Sequence, residues 1–372
     1  MEKIVKFVEC LLPVTACNLK CSYCYVIQES RRAMKIPPLQ YSLDTIQRAL
    51  RKERFGGTCY FSICGAGETL MPDYIVDLVG RILDNGHYVN ITSNGTLSRR
   101  YQQMMESYPQ EQLSRLHFAF SLHWIELKHL NMLDRFFDNV RLVRGHGCSV
   151  VVQLNMCDEY MPHLDEIKER CKQEIGAWPQ IAATRREDGF PVKRISLYTD
   201  RPEEEYIAAG KSFDSPLFDF TIKNFMVRRH EFCYAGDWSY QLNLQTGLLK
   251  RCYCSCVVQN IFKNTENAIF KMAVGHACNS LYCNNSSHFM SLGVIPEIDS
   301  PSYAELRNRP EAEWYTPEMN DVLSGKLSET NSTYGTMKKL ASDVVGLYDK
   351  AAYKAYEMLL VARRRKEKTE KA

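Results

Sequence analysis

The first two hundred positions alternate between short apolar runs and amphipathic stretches. IVKFVECLLPV, 4–14, reads as a strand that runs straight into a polar loop. TCYFSIC (58–64), HYVNITS (87–93), RLHFAFSL (115–122) and CSVVVQLNM (148–156) are β-branched and aromatic runs of strand length. Between them, 42–54, 73–84, 98–107, 131–144 and 162–173 read as helices. RISLYT, 194–199, reads as a sixth strand. Strand–helix pairs repeated in this way predict a parallel sheet with right-handed crossovers. Six units stop short of a full eight-stranded barrel, so the pattern predicts an α/β fold built on a partial (β/α)6 TIM-like barrel. Chemistry in such barrels sits at the carboxyl ends of the strands.

The pattern then changes. Residues 200–225 are charged, carry glycine and proline, and read as a connector. Tyr240 to Leu244 alternate as a strand, Gln245-Thr246-Gly247 reads as a hairpin turn, and 248–251 start the return strand. Residues 286–315, rich in Ser, Pro and Glu, read as a linker, and 335–361 as a long helix. Its stripe of Met337, Leu340, Val344, Tyr348, Ala351 and Ala355 is expected to pack on the barrel. The organisation expected is a barrel over 1–225, a small β-hairpin/helix domain over 226–290, and a linker with a helical tail over 291–372.

Composition narrows the class. The chain has 372 residues, 45% hydrophobic and 24% charged, as in an ordinary globular protein. A net charge of +3 gives no argument for a nucleic-acid partner. No apolar run reaches the roughly 18 residues of a membrane span. Glu2, Lys3, Lys6 and Glu9 interrupt the first apolar stretch, so no signal peptide and a cytoplasmic location are expected. In that reducing compartment the 15 cysteines read as metal ligands or catalytic groups rather than disulfides.

Cys17, Cys21 and Cys24 lie in the loop after the first strand, spaced C-x3-C-x2-C, with Tyr23 just before the third. Such a loop can wrap three thiolates around one face of a [4Fe–4S] cluster, which normally takes four. The iron left open suits chemistry rather than storage. A zinc knuckle short of one ligand and cysteines that merely pack are the alternatives.

With its aromatic residue, the motif resembles the signature of the radical S-adenosylmethionine (radical SAM) superfamily. That resemblance implies a cluster on Cys17, Cys21 and Cys24 whose open iron binds S-adenosylmethionine. It implies reductive cleavage to a 5′-deoxyadenosyl radical that takes hydrogen from a substrate. It also implies a flavodoxin- or ferredoxin-type reductant. Gly65-Ala66-Gly67-Glu68, after the second strand, resembles the family's glycine-rich stretch, with Glu68 a partner for the methionine ammonium. Thr92-Ser93-Asn94-Gly95 resembles its T-N-G turn with one residue inserted. Ser121 and His123 fall where the family places polar groups on the ribose, and Asn155 where a ribose or carboxylate contact is expected.

Cys233, Gly247 and Cys252 follow the spacing C-x13-G-x4-C, and Cys278 and Cys283 come after a gap. The pattern resembles the twitch form of the auxiliary-cluster domain; the C-x2-C-x5-C-x3-C run of the fuller SPASM form is absent. It implies one auxiliary [4Fe–4S] cluster on Cys233, Cys252, Cys278 and Cys283 that relays electrons, with Cys254 and Cys256 as rival ligands. A structural zinc site with the same ligands remains open. Members with such clusters modify peptides or oxidise and epimerise sugars and alcohols. With the cysteine loop beginning at residue 17, no preceding peptide-recognition domain is expected, which tilts the substrate toward a small or carbohydrate-like molecule. Cys64 and Cys157, at strand ends, are candidate hydrogen donors for a redox-neutral reaction; their plain reading is as buried cysteines. A non-catalytic iron–sulfur electron-transfer protein and a zinc-stabilised binding protein are the rival functions.

Overall fold

The structure, a computed structural model, describes residues 2–188, 194–280 and 282–369. Six strands lie side by side in chain order, all parallel: β1 (Lys6–Leu12), β2 (Cys59–Gly65), β3 (Tyr88–Ser93), β4 (Leu116–Leu122), β5 (Ser149–Met156) and β6 (Gln180–Ala183). Helices Leu43–Ala49, Ile75–Asp84, Ser98–Ser107, Leu133–Gly145 and Leu164–Ile175 cross between them. The arrangement is a partial TIM-like barrel, open between its outer strands.

The sixth strand differs from expectation. It is the four-residue segment Gln180–Ala183, held to β5 and anchored by Ser215, whose hydroxyl accepts from the Ile181 N–H (2.8 Å) and donates to Gln180 Oε1 (2.7 Å). Residues Arg185–Asp188 (β7) and Arg194–Leu197 (β8) form a separate antiparallel pair. In β8, Ser196 is exposed and Leu197 buried, the alternation of a ribbon with one wet face rather than of a barrel strand. The expected connector also folds, into helices Glu203–Lys211 and Pro216–Asn224. Its charge has a local reason, because Glu203, Glu204 and Glu205 occupy the first turn of the former.

The predicted hairpin is present as β9 (Ser239–Asn243) and β10 (Leu248–Lys250), extended by β11 (Val257–Asn260). β9 pairs in parallel with β1, so the hairpin continues the barrel sheet in the order β11-β10-β9-β1-β2-β3-β4-β5-β6.

The stretch 286–315 is a plug rather than a linker. Its helix Tyr303–Arg307 stands against the amino ends of the strands, where the Tyr303 ring meets Tyr60 and His117 edge-on. Arg307 is 1% exposed, lies 3.8 Å over the Tyr303 ring and donates to Ser287 Oγ. Burial and the Arg307 charge push His117 down to about 3 and lower His288, so both imidazoles stay neutral beside the guanidinium.

The C-terminal helix Thr336–Thr369 presents a different face from the one its apolar stripe predicts. Met337 and Tyr348 are 79% and 78% exposed, and Leu340 and Val344 are exposed as well. Ser342, Gly346 and Asp349 are buried instead. Arg251, 1% exposed, pairs with Asp349 at 2.7 Å, and satisfying that buried charge outweighs covering the stripe. Gly346 permits the approach, since a Cβ there would stand 2.7 Å from Ala277 Cβ.

Candidate active site

The cysteine loop is held by the turn after β2. The Gly67 N–H donates to Val14 O (2.6 Å) and the Glu68 N–H to Ala16 O (2.8 Å). A Cβ on Gly67 would lie 2.1 Å from Ala16 O, so only glycine allows this lacing. Within the loop the Cys24 N–H donates to Cys21 O, and Cys24 O begins the short helix Tyr25–Gln28.

Asn94, after β3, donates through Nδ2 to Cys17 Sγ (3.8 Å) and Asn18 Oδ1 (2.9 Å). The buried Glu68 carboxylate gathers three donors: the Leu70 N–H and Ser93 hydroxyl on Oε1, and the Asn94 N–H on Oε2. Burial raises its carboxyl while these donors oppose the shift. Glu68 thus joins the glycine-rich turn to the Ser93-Asn94 turn. The Tyr23 hydroxyl bonds His123 Nδ1 (2.6 Å) and Tyr160 OH (2.9 Å), tying the cysteine loop to the ends of β4 and β5. Burial pushes His123 down to about 4, so it is neutral; where Tyr23 donates to Nδ1, the ring hydrogen sits on Nε2.

These contacts close around a cavity of about 320 Å³ at the carboxyl ends of the strands. Cys17, Cys21 and Cys24 line it with Tyr23, Gly65, Gly67, Glu68, Asn94, Ser121, His123 and Asn155, every cofactor residue expected from the sequence. Thr92, from the turn singled out in the sequence, lines it as well; Arg32, Thr184 and Arg185 also line it and escaped the sequence reading. Arg32 follows the cysteine motif closely and donates to Cys17 O (2.7 Å), but one arginine in a polar loop carries no signal of its own. Cys64 and Cys157 line no part of it. The Cys64 thiol turns to Glu9 Oε1 (3.6 Å), and Cys157 is 0% exposed.

The donor set suits a cluster. Burial raises the Cys17 and Cys21 thiols above their ordinary range, so holding them as thiolates requires positive charge beside them, which iron supplies. Among the described residues no group of three or more His, Cys, Asp or Glu side chains could hold a metal ion. A cubic cluster spreads its thiolates over several corners.

A second, smaller cavity gathers Cys233, Cys252, Cys278 and Cys283 behind the hairpin. The rival Cys254 lines it too and accepts from Asn284 Nδ2 (3.4 Å), whereas Cys256 stays outside, its N–H donating to Asp349 Oδ1. Burial pushes Cys283 up to about 12 and raises Cys233 and Cys252 as well.

Glu9, inside the barrel, accepts from Cys64 and Asn285, and burial raises it from 4.5 to about 7. A raised carboxyl stabilises the fold below its ordinary value and loses that contribution as pH climbs through 7. Thermal unfolding should therefore show stability falling by up to about 3 kcal/mol between pH 4.5 and 7 from this group. Glu9→Gln should flatten that slope and be the more stable protein at pH 8.

With this geometry in hand, residues 11–171 match the Radical SAM superfamily. That segment is a radical SAM domain. It runs from the end of β1 through the helix after β5 and includes the cysteine triplet, Glu68, Asn94, Ser121, His123 and Asn155. Thr184 and Arg185 reach its cavity from beyond the matched residues.

No curated protein sequence matches the chain. Among solved structures, Streptococcus suis SuiB bound to S-adenosylmethionine is 16% identical over 70% of this chain and 64% of its own, with a TM-score of 0.47. The match thus spans less than two thirds of SuiB. Native anSMEcpe with bound AdoMet and Cp18Cys peptide is 13% identical over 96% and 99%, at 0.44. BtrN in complex with AdoMet and 2-DOIA is 16% identical over 77% and 94%, at 0.40. Among the described residues no helix is long and apolar enough to cross a membrane.

Proposed function

We propose that this chain is a radical SAM enzyme that oxidises a polar small molecule or peptide residue. One observation carries the reading: a single cavity collects the three thiols and every polar residue expected to hold S-adenosylmethionine. Bound there on Cys17, Cys21 and Cys24, the cluster and S-adenosylmethionine supply a 5′-deoxyadenosyl radical. Ser121, His123 and Asn155 are placed to hydrogen-bond the ribose and carboxylate. Glu68 and Asn94 keep the two turns against the cysteine loop. Cys233, Cys252, Cys278 and Cys283 would hold an auxiliary [4Fe–4S] cluster, which would supply an electron acceptor for the oxidation. Oxidation is favoured over epimerisation because Cys64 and Cys157, the two candidate donor thiols, do not line the cavity.

The test is anaerobic reconstitution, reduction with dithionite and assay of 5′-deoxyadenosine. About eight irons per chain and formation of 5′-deoxyadenosine are expected, and Cys252→Ala should retain about four. Zinc in place of iron overturns the reading. Eight irons without 5′-deoxyadenosine would reduce it to electron transfer.

A further inference from the structure

A third cavity, of about 190 Å³, lies between the other two. It shares Ala183 and Arg185 with the cysteine-triplet cavity, and Cys283 and Asn284 with the auxiliary one. Its volume fits one amino-acid residue or a small sugar acid better than a drug-sized ligand. Its wall mixes apolar and polar surface and is almost uncharged. Gln153, Asn284, Asn285 and Ser287 contribute amides and a hydroxyl, and no Asp or Glu lines it. Arg185 is the exception.

The Arg185 guanidinium is partly buried and makes one side-chain hydrogen bond among the described residues, from Nη1 to Asn284 O (3.3 Å). Asn284 lines the second and third cavities and not the first, so this bond draws the guanidinium away from the first, and of those two only the third is lined by Arg185. Glu68 is the one Asp or Glu lining the first cavity, and its carboxylate is engaged by three donors. A partly buried guanidinium that no carboxylate engages is open to an anionic ligand, which can take it up in a two-pronged hydrogen bond.

We propose that the third cavity is the substrate site and that Arg185 selects a substrate bearing a carboxylate. This rests on the function proposed above, which places the hydrogen abstraction in the adjoining cavity. S-adenosylmethionine also carries a carboxylate, so the experiment must separate the two sources.

Crystals of the anaerobically reconstituted protein, saturated with S-adenosylmethionine, would be soaked with size-matched carboxylate, neutral amide and amine fragments. Carboxylates should dominate the third cavity in wild type. Arg185→Gln should weaken them by about tenfold or more, a loss typical of a charge-assisted hydrogen bond. Arg185→Lys should keep part of the preference. Iron content should be unchanged in both variants, and S-adenosylmethionine affinity, by equilibrium dialysis, should fall much less than carboxylate binding. Equal occupancy by neutral fragments, or an empty third cavity with every class, overturns the proposal. So does a tenfold loss of S-adenosylmethionine affinity in Arg185→Gln, which would assign the guanidinium to the cofactor. Failure of wild type to bind S-adenosylmethionine at all would sink the function proposed above, while the fragment result would still decide the carboxylate preference.

Discussion

Replacing Cys17, Cys21 and Cys24 together by alanine is expected to remove about four irons per chain and bring 5′-deoxyadenosine formation to the reagent background. The three thiols sit on one loop before a single cavity, and the carboxylate and imidazole nearest them already hold other partners. Glu68 is held by Leu70, Ser93 and Asn94, and His123 by Tyr23. The fold should survive, because Cys21 is one member of a large core beneath the loop and Cys17 and Cys24 are only partly buried against it. Iron analysis and circular dichroism of the variant separate loss of the cluster from loss of the fold. Retained 5′-deoxyadenosine would contradict the site.

Asp349→Ala should destabilise the protein by about 3–5 kcal/mol, the usual cost of leaving a buried charge without its partner. Arg251 would keep only Ala273 O as an acceptor, and the Cys256 N–H would lose Oδ1. Arg251 immediately precedes Cys252, so the damage should spread to the auxiliary cavity and lower iron content as well as melting temperature. Arg251→Met with Asp349→Leu should recover much of the stability, since both charges leave together. If Asp349→Ala melts like wild type, the ion pair does not hold the helix.

The cysteine triplet was legible because its thiols lie within eight residues of one another, and spacing alone brings them to one loop. The polar residues after the strands were legible for a related reason. A parallel barrel brings every strand's carboxyl end to one rim, so Asn94, Ser121, His123 and Asn155 meet once the strands are recognised. Gln180–Ala183 was not recognised, because four residues of mixed character become a strand only beside β5 and Ser215. Glu68 reads in the sequence as a partner for the cofactor; that its oxygens also accept from backbone and hydroxyl donors follows only from the folded turns that bring those donors within reach.

The sequence by itself determined the spacing of the cysteine triplet, the order of the first five strands, and the rim where the candidate residues collect. Those features follow from local spacing and from a periodicity read over a few residues. Tertiary structure alone decided the helix Tyr303–Arg307 as a barrel plug, the buried face of the last helix, and the place of Arg185 between two cavities. Each of these depends on a partner far away in the chain: Tyr60 for Tyr303, Arg251 for Asp349, Asn284 for Arg185. A buried charge or ring settles where a distant group satisfies it, and no local pattern records that choice.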